Sequence, residues 1–431
     1  MKLLLLVATL ALWSAPDDAE IELRIEEQLA AFEGGWAKVP PLASSLASLG
    51  PAATPILLDR WISSTPATDA DRTPGASEVQ LSTALQLALN QLPIAGLRDA
   101  IDQIARPGAR PTEVLAALEL LGRIGDPGDL ERVAALATAG GDPNLEVRRA
   151  YEHAVLSLID GEDTARISFC RRLPDLRPRL ISSAVNAVTA TGGAGAFEAL
   201  SGGLGRRADG PILLSLARLA DRPDLRPSEE SLAAVERSLA EADPAVVALA
   251  AEVLADLQAI EAAPALIEAL RRADGRHRPC LADRLFVLTR ADLGTDPRAW
   301  ERWHAKEMRW LASEASSLEW DLQRGPSRQA RVALQALASH PLHRRALASA
   351  LLYGLERPED DIVEAACTAL AAYDAQPAIG RLAALLEHPS SGVRNAAWQA
   401  LRSLSDLDLP QDPDAWKAAL SDYDRLSEEP R

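Results

Sequence analysis

Aromatic residues are scarce in this chain, and so is the alternation of apolar and polar residues that half-buried β-strands need. Phe, Trp and Tyr make up 4% of the 431 residues, although 48% of the chain is hydrophobic. Leu and Ala carry most of that apolar content and favour helices, whereas strands are enriched in Val, Ile and aromatic residues. No stretch shows a clean period of two. The sequence therefore predicts an all-α protein.

Cysteine is also rare. Cys170, Cys280 and Cys367 are odd in number and lie far apart, which excludes a disulfide framework. Each falls in an apolar helical pattern, where a thiol serves as a small packing group. We therefore expect all three to be buried, without a redox or nucleophilic role.

Basic residues are fewer than acidic residues in this chain. The chain has 45 Lys and Arg against 62 Asp and Glu, which gives a formal net charge of −17 at pH 7. Such a charge repels phosphate backbones and disfavours anionic membrane surfaces, so we expect no nucleic-acid partner. We interpret the excess of acidic residues as a contribution to solubility.

Long hydrophobic runs are confined to the N-terminus. After one Lys, residues 3–13 form an apolar run that is too short to span a bilayer but suits the core of a signal peptide. We predict that residues 1–19 direct export to the periplasm or the extracellular space; the alternative is an N-terminal membrane anchor. Once the signal is removed, no stable membrane span is expected. Residues 20–40 are predicted to form a capping helix on a monomeric protein.

An internal period organises the rest of the chain. Val114, Ala117, Leu121 and Ile124 are spaced as one face of a helix. The same spacing begins again, in some copies more weakly, at Val147, Ile181, Leu213, Val247, Leu281, Val332, Val363 and Val393. Up to Leu281 the steps are 33, 34, 32, 34 and 34 residues. A period of this length is typical of stacked helical repeats.

Each period contains two helical patterns. In DPAVVALAAEVLADLQAIEAAPALIEALRR the first helix is predicted from about Pro244 to Leu257, with Asp243 as its N-cap. The second helix is predicted from about Glu261 to Arg271. Two helices in ~33 residues cannot bury their apolar faces alone, but stacked pairs share one continuous core.

These pairs resemble the HEAT repeats of bacterial proteins, including the short lyase-type variety. The resemblance lies in an Asp-Pro pair followed by Val-Arg and Ala, carried by Asp142, Pro143, Val147, Arg148 and Ala150, and in part by Val393, Arg394, Ala396 and Ala397. It implies a right-handed α-solenoid, or superhelix, of about eleven helix pairs over residues 41–425, with a tail at 426–431. In HEAT proteins the second helices line the concave face, and partners lie along it.

One segment of the sequence occurs twice in similar form. LTRADLGTDPRAW, which begins at Leu288, recurs 116 residues later as LSDLDLPQDPDAW. In both copies an aspartate, Asp296 or Asp412, is placed to cap the next helix. Trp300 and Trp416 then fall in its first turn, where an indole can fold back over a loop leucine. We interpret the segment as an elaborated turn with a structural role, not as a doubled active site.

Four of the nine Trp residues fall within residues 294–326, an irregular segment where one step of the period lengthens to 51 residues. At about 100° per residue, Trp300, Trp303 and Trp310 share one stripe of a helix, and Trp320 lies off it. We predict that the helix ends before Trp320 and that the stripe packs onto the repeats. The alternative is an exposed stripe that binds a partner, since Trp anchors many interfaces.

Motifs that would carry catalysis are missing. No H-E-x-x-H occurs among the six histidines, and the His-Glu pairs of HEAT-fold di-iron hydroxylases are missing too. His340 and His343 sit around a proline with no carboxylate at ligand spacing, so we expect surface or capping histidines. The glycine-rich TGGAGAFEALSGGLGRR, from Thr191, lacks G-K-[ST] and follows a helix, so we expect an interhelical loop. No catalytic residue, metal or cofactor is predicted.

The resemblance therefore predicts a non-catalytic scaffold or adaptor that binds a protein or peptide partner along the second helices. Charges of both signs on those helices favour such a partner over a polyanion. The alternative is an enzyme or enzyme subunit akin to the lyase-type HEAT proteins, which cradle a small molecule in the concavity. The candidate partner-binding residues are Glu198, Arg206, Glu261, Glu268, Arg271, Arg272, Trp303 and Trp310.

Overall fold

Helices account for all the regular structure that the chain shows. A computed structural model describes residues 18–64, 75–205, 208–222, 225–405 and 407–428. Every regular element in these ranges is helical, and no β-strand occurs within them. The all-α prediction is thus confirmed. Most of the predicted signal peptide, at residues 1–17, lies outside the described ranges, as does the centre of the segment 63–77 that joins two helices.

The chain divides into two compact units, Met1–Val235 and Glu236–Arg431, and the boundary falls inside one helix. The helices up to that boundary are α1 (Asp18–Ala30), α2 (Val39–Ala47), α3 (Thr54–Ser64), α4 (Ala76–Gln91), α5 (Ile94–Ile104), α6 (Pro111–Ile124), α7 (Leu130–Ala139), α8 (Leu145–Ile159), α9 (Asp163–Cys170), α10 (Pro178–Thr191), α11 (Gly193–Ser201), α12 (Asp209–Ala220) and α13 (Glu229–Ser238).

The second unit continues with helices of similar length. They are α14 (Pro244–Asp256), α15 (Ala263–Arg272), α16 (Arg278–Thr289), α17 (Pro297–Ser313), α18 (Ala315–Arg324), α19 (Ser327–Leu337), α20 (Arg344–Leu351), α21 (Asp360–Ala372), α22 (Ile379–Ala384), α23 (Ser391–Ser405) and α24 (Pro413–Glu428). Short 3₁₀ turns such as Pro127–Asp129 and Ile260–Ala262 lead into several of the shorter helices.

Within each unit, a helix packs on its neighbour in sequence and on the helix after that. In the first unit α6 packs on α8, α8 on α10 and α10 on α12; in the second, α14 packs on α16 and α21 on α23. Their facing sides carry the core, with Leu121, Val155 and Val188 fully buried in the first unit and Leu254 and Leu370 in the second. This alternation is the packing that stacked helix pairs require.

The pair α14–α15 shows how the local sequence sets the helix ends. The Asp243 carboxylate accepts a hydrogen bond from the Ala245 amide at 2.9 Å, and Pro244 occupies the first helical position. The chain leaves α14 through Gln258, whose φ of 52° is left-handed. The predicted ends, Pro244 to about Leu257, agree with the observed helix to within one residue.

The sequence pattern misleads at two places, the register of α19 and the Asp-Pro pair before α8. Val332 is 57% exposed, because the buried face of α19 is built instead from Ala330, Ala333, Leu334 and Leu337. The expected face is therefore displaced by two residues at this position, because the same spacing starts at Ala330. In the first unit Asp142-Pro143 does not begin a helix. Asn144 caps α8, accepting a hydrogen bond from the Val147 amide at 2.9 Å.

Two further expectations are corrected. The glycine-rich segment after Thr191 is not a loop, because Gly193–Ser201 forms α11 and buries Phe197 and Leu200. Cys170 and Cys367 are buried as expected, and burial raises the pKa of each thiol to about 12. Cys280 is exposed near the start of α16, so its place in an apolar pattern did not predict burial.

The doubled segment forms the same turn twice. The indole N–H of Trp300 donates to the Gly294 carbonyl at 2.8 Å, and that of Trp416 donates to the Pro410 carbonyl at 2.9 Å. Both indoles are fully buried. Asp296 caps its helix through the Arg298 amide, and Asp412 accepts the equivalent amide of Asp414. The turn therefore has the structural role predicted for it.

The N-terminal helix α1 buries Ile21 and Ile25 and packs near α2. Among the described residues, no single helix is both long and apolar enough to cross a membrane. The segments Trp36–Ala47 and Pro51–Ser64, which are bent by 109°, reach that length and apolarity only when taken together.

Two buried tyrosines provide a matched test of hydrogen bonding in the core. The hydroxyl of Tyr373 donates to the Leu337 carbonyl at 2.6 Å, whereas the Tyr151 hydroxyl has no hydrogen-bond partner among the described residues. Burial raises the pKa of both side chains. A buried hydroxyl without a partner costs free energy, so Tyr151→Phe is expected to stabilise the protein by about 1 kcal/mol.

The same change at Tyr373 is expected to destabilise the protein by about 1–3 kcal/mol, since it removes a hydrogen bond and leaves the carbonyl of Leu337 buried. Urea unfolding followed by circular dichroism compares the two variants directly. If Tyr151→Phe destabilises the protein as much as Tyr373→Phe does, the Tyr151 hydroxyl is not the unsatisfied group described above.

Candidate functional site

A groove in the first unit is a candidate binding site. It has a volume of about 810 Å³ and lies between α7 and α9, and residues 175–177, which lead into α10, also line it. We call it the α7–α9 groove. Its lining includes Leu130, Glu131, Ala134, Ala135, Thr138, Glu162, Ala165, Ser168, Phe169, Arg172, Arg177 and Leu180.

Small side chains on facing helices create the groove. Ala134 and Ala135 of α7 and Ala165 of α9 leave space that larger side chains would fill. The helices α6, α8 and α10 pack closely on one another behind it. On the other side of the groove, α9 packs against α11 and makes few contacts with α7. The gap is thus a consequence of packing within this unit.

The groove combines an apolar floor with a charged rim. Phe169 and Leu180 are buried beneath it, and hydroxyls from α7 and α9 line its walls. At the rim Arg172 donates to Glu131 at 2.5 Å, so an ion pair joins the segment after α9 to α7. The Arg177 guanidinium donates to the Gly141 carbonyl at 3.3 Å. Such a site can bury an apolar side chain and fix a flanking polar group.

Charged residues on the shorter helices largely pair with one another. Arg132 of α7 contacts Asp102 of α5 at 3.0 Å, and Arg381 of α22 contacts Glu356 at 2.8 Å. These pairs are exposed, and exposed pairs contribute about 0–1 kcal/mol to stability. Because they are weak, a partner that offers charges of its own can replace them at little cost.

The first-unit candidates are not equivalent. The Glu198 carboxylate accepts hydrogen bonds from the Ser228 amide at 2.7 Å and from the hydroxyls of Ser228 and Ser231. Desolvation opposes its charge, but these hydrogen bonds hold the pKa of Glu198 below its usual range. The Glu198 carboxylate therefore links α11 to the start of α13. Arg206 lies outside the described residues.

The second-unit candidates cluster around α15. Glu268 forms a bidentate pair with Arg271, at 2.5 and 2.7 Å. Arg272 lies 3.6 Å from the same Glu268 carboxylate and donates to the carbonyls of Leu239 and Ala240, which satisfies the C-terminal end of α13. Glu261 pairs with Arg345 of α20 at 2.8 Å. Glu268, Arg271 and Arg272 thus form a charged group on one helix.

Trp303 and Trp310 both lie on α17 and are half-buried. Trp303 packs edge-to-face on the buried Trp300, with ring centroids 5.7 Å apart. Trp310 stacks on His340, with centroids 3.4 Å apart. The helix ends at Ser313, before the exposed Trp320, and α18 follows, so the two consecutive helices supply the extra length of this segment. These contacts favour packing over a free recognition surface.

The expectation for the histidines is wrong. His343 is buried and His340 is mostly buried, and both lie against Glu307 of α17, a carboxylate 33 and 36 residues earlier in the chain. Spacing along the chain could not show this, because the fold brings the groups together. Among the described residues, no group of three or more His, Cys, Asp or Glu side chains is arranged to hold a metal ion.

The groove itself was not among the sequence predictions. Its floor consists of apolar residues that the sequence pattern assigns to the core, and none of the candidate partner-binding residues lines it. The alanine-rich sequence of α7, LERVAALATA, facing alanine and hydroxyl residues on α9, is the one feature that could have indicated a gap.

Comparison with known proteins adds little to this description. No family model matches the chain, and no curated protein sequence matches it. Among solved structures, the chain is similar to an engineered protein from the Northeast Structural Genomics Consortium, at 17% identity over 91% of this chain and 97% of that one, with a TM-score of 0.26. A similarity this low supports no conclusion about fold or function.

Proposed function

We propose that the protein is a non-catalytic scaffold or adaptor, a HEAT-like solenoid of about eleven helix pairs that binds a protein or peptide partner along its second helices. The alternating packing of helices within each unit supports the repeat architecture. With α1 and α18 set aside, the described helices fall into eleven consecutive pairs. Export, as the apolar run at residues 3–13 predicts, is part of the same proposal.

The observation that carries the binding role is the α7–α9 groove. Its walls are the two second helices, α7 and α9, and its rim offers both signs of charge around an apolar floor. A peptide that places an apolar side chain between a basic and an acidic residue matches this arrangement. A polyanion does not match it, because Glu131 and Glu162 lie at the groove together with Arg172.

The second candidate is a small-molecule site, as in the lyase-type HEAT proteins. The volume of about 810 Å³ falls within the range of about 300–1,000 Å³ that is usual for ligand pockets. The two candidates differ in what co-purifies with the protein from its native compartment. Mass spectrometry would detect a bound organic ligand in one case and a protein partner in the other.

A variant that fills the groove tests the proposal. Ala135 lines the groove and is exposed, so Ala135→Trp is expected to leave the fold intact while blocking access. Peptides selected from a random library against the full chain should bind the variant at least tenfold more weakly, or about 1.4 kcal/mol, by calorimetry.

The matched control is Ala346→Trp, the same change at an exposed alanine of α20 in the other unit. It is expected to leave peptide affinity unaltered. Peptides whose affinity is insensitive to Ala135→Trp would show that the groove is not the binding site. A library that yields no binder at all would count against peptide recognition and favour the small-molecule alternative.

A further inference from the structure

A cluster of three histidines, a glutamate and a tryptophan lies between α17 and the turn before α20. His304, Glu307 and Trp310 belong to α17, and His340 and His343 belong to the turn. The Nδ1 atom of His340 lies 2.7 Å from the Glu307 carboxylate. The Nε2 atom of His343 lies 3.2 Å from the Glu307 carbonyl and 3.8 Å from its carboxylate. We call this cluster the His–Glu joint.

The joint is mostly shielded from water. Glu307 is 7% exposed and His343 is 6% exposed, and the indole of Trp310 covers His340. Burial lowers the pKa of His343, and burial also lowers the pKa of His304. One carboxylate therefore faces three imidazoles in a poorly hydrated space, where it can balance the charge of one imidazolium but not of two.

Among the described residues, Glu307 supplies the carboxylate that lies within ion-pair distance of His340 and His343, and no other carboxylate does. From α15, which also packs on α17, the charged groups Glu268, Arg271 and Arg272 pair with one another. From α21 comes the Tyr373 hydroxyl, which donates to the Leu337 carbonyl. From α20 comes the buried guanidinium of Arg344, which donates to the carbonyl of Leu288 and to Gln258. The charged groups around Arg344 are Arg290, Arg345, Glu261 and Asp374. A second proton on the histidines thus enters a region that already holds a buried cation.

We propose that the His–Glu joint is a proton-sensitive device that holds α17 on the turn at 341–343 near neutral pH and loosens it in mild acid. With at most one imidazolium beside the Glu307 carboxylate, which lies 2.7 Å from His340, the cluster is balanced and α17 is docked. When a second proton binds His304 or His343, the cluster gains an uncompensated charge. Opening the joint to water relieves that charge, so acid favours the undocked helix.

The direction follows from the histidines that are held neutral. A His whose pKa is lowered in the docked state takes up its proton more readily once it is undocked. Docking is therefore at full strength above the ordinary His pKa of about 6.5, and weakens as the pH falls from there towards the lowered values. Each unit of pKa depression corresponds to a tenfold change in the docking equilibrium.

Amide hydrogen exchange of the full chain at pH 7.5 and pH 5.5, corrected for the intrinsic exchange rate, measures this docking. Protection of α17 is expected to fall about tenfold at pH 5.5, while α8 in the first unit keeps its protection. The double variant His304→Gln, His343→Gln should lose the pH response. His153→Gln, at an exposed position of α8, should keep it.

A second readout does not depend on the double variant folding. The difference in Trp emission between wild type and Trp310→Phe reports on the stacked pair, and it should titrate with a midpoint between about pH 5 and 6.5. The His304→Gln single variant should weaken the response of α17. Equal protection of α17 at both pH values overturns the proposal, as does a response that persists unchanged without His304 and His343.

Discussion

Truncation of Trp300 or Trp416 to alanine is expected to destabilise the protein by about 3–5 kcal/mol in each case. Both indoles are fully buried, and each also donates its N–H to a loop carbonyl, at 2.8 Å for Trp300 and 2.9 Å for Trp416. Removing the ring leaves a large cavity and releases the loop that the ring ties down. Urea unfolding of the full chain, followed by circular dichroism, measures the loss.

Two comparisons separate packing from the hydrogen bond. Trp300→Phe keeps most of the ring volume but removes the donor, so it should cost less than Trp300→Ala. Trp320→Ala, at a position that is 55% exposed, should change stability by less than about 0.5 kcal/mol. If Trp300→Ala and Trp416→Ala behave like Trp320→Ala, the doubled turn has no structural role.

For Trp303 and Trp310, which the sequence also singled out, the structure indicates a smaller loss of stability on truncation. Trp303 and Trp310 were predicted to pack onto the repeats in one stripe with Trp300. They are half-buried, so truncation of either should cost about 1–2 kcal/mol. The position of Trp300 within the same stripe identified the helical face correctly, but periodicity does not say how deeply each member lies.

Local signals predicted local structure well. The Asp-Pro start of α14 and the turn before α15 follow from capping and from the φ of proline, both of which act within a few residues. The register at Val332 failed for the converse reason. A valine and an alanine one residue apart are both apolar, and only the neighbouring helix decides which of them is buried.

Sites that depend on distant residues were not predictable in this way. Glu307 meets His340 and His343 only because α17 packs on the turn before α20, and Glu307 lies in the irregular segment where the repeat spacing does not show which residues meet. The α7–α9 groove likewise exists because α7 and α9 make few contacts with each other. A single sequence does not show which distant residues are in contact.

A buried electrostatic network surrounds Asp129 in the first unit. Asp129 is fully buried at the start of α7 and accepts two hydrogen bonds from Arg98 of α5, at 2.8 and 2.7 Å. It also accepts from Arg132 at 3.0 Å and from the Asp126 amide at 3.1 Å. One carboxylate thus joins α5, α7 and the turn between α6 and α7.

Substitution of Asp129 by alanine is expected to cost roughly 3 kcal/mol, the lower end of the range for breaking a buried pair, because Arg98 and Arg132 are partly exposed and can be rehydrated. Asp102→Ala is the matched control. Asp102 contacts the same Arg132 but is largely exposed, so its loss should cost less than about 1 kcal/mol. Native-state hydrogen exchange in α5 and α7 locates the effect. Equal costs for the two variants would contradict the assignment of Asp129 as the central group.

The pH dependence gives the same prediction a second test. Burial alone would raise the pKa of Asp129, but the hydrogen bonds from Arg98, the Asp126 amide and Arg132 outweigh it and hold that pKa below its usual range. The stability it provides is therefore present above the ordinary Asp pKa of about 3.9 and is lost as the pH falls through the lowered value. The difference between wild type and Asp129→Ala should stay constant from about pH 7 to 5 and close only in strong acid. A difference that already closes near pH 6 would mean that some other group supplies the stabilisation.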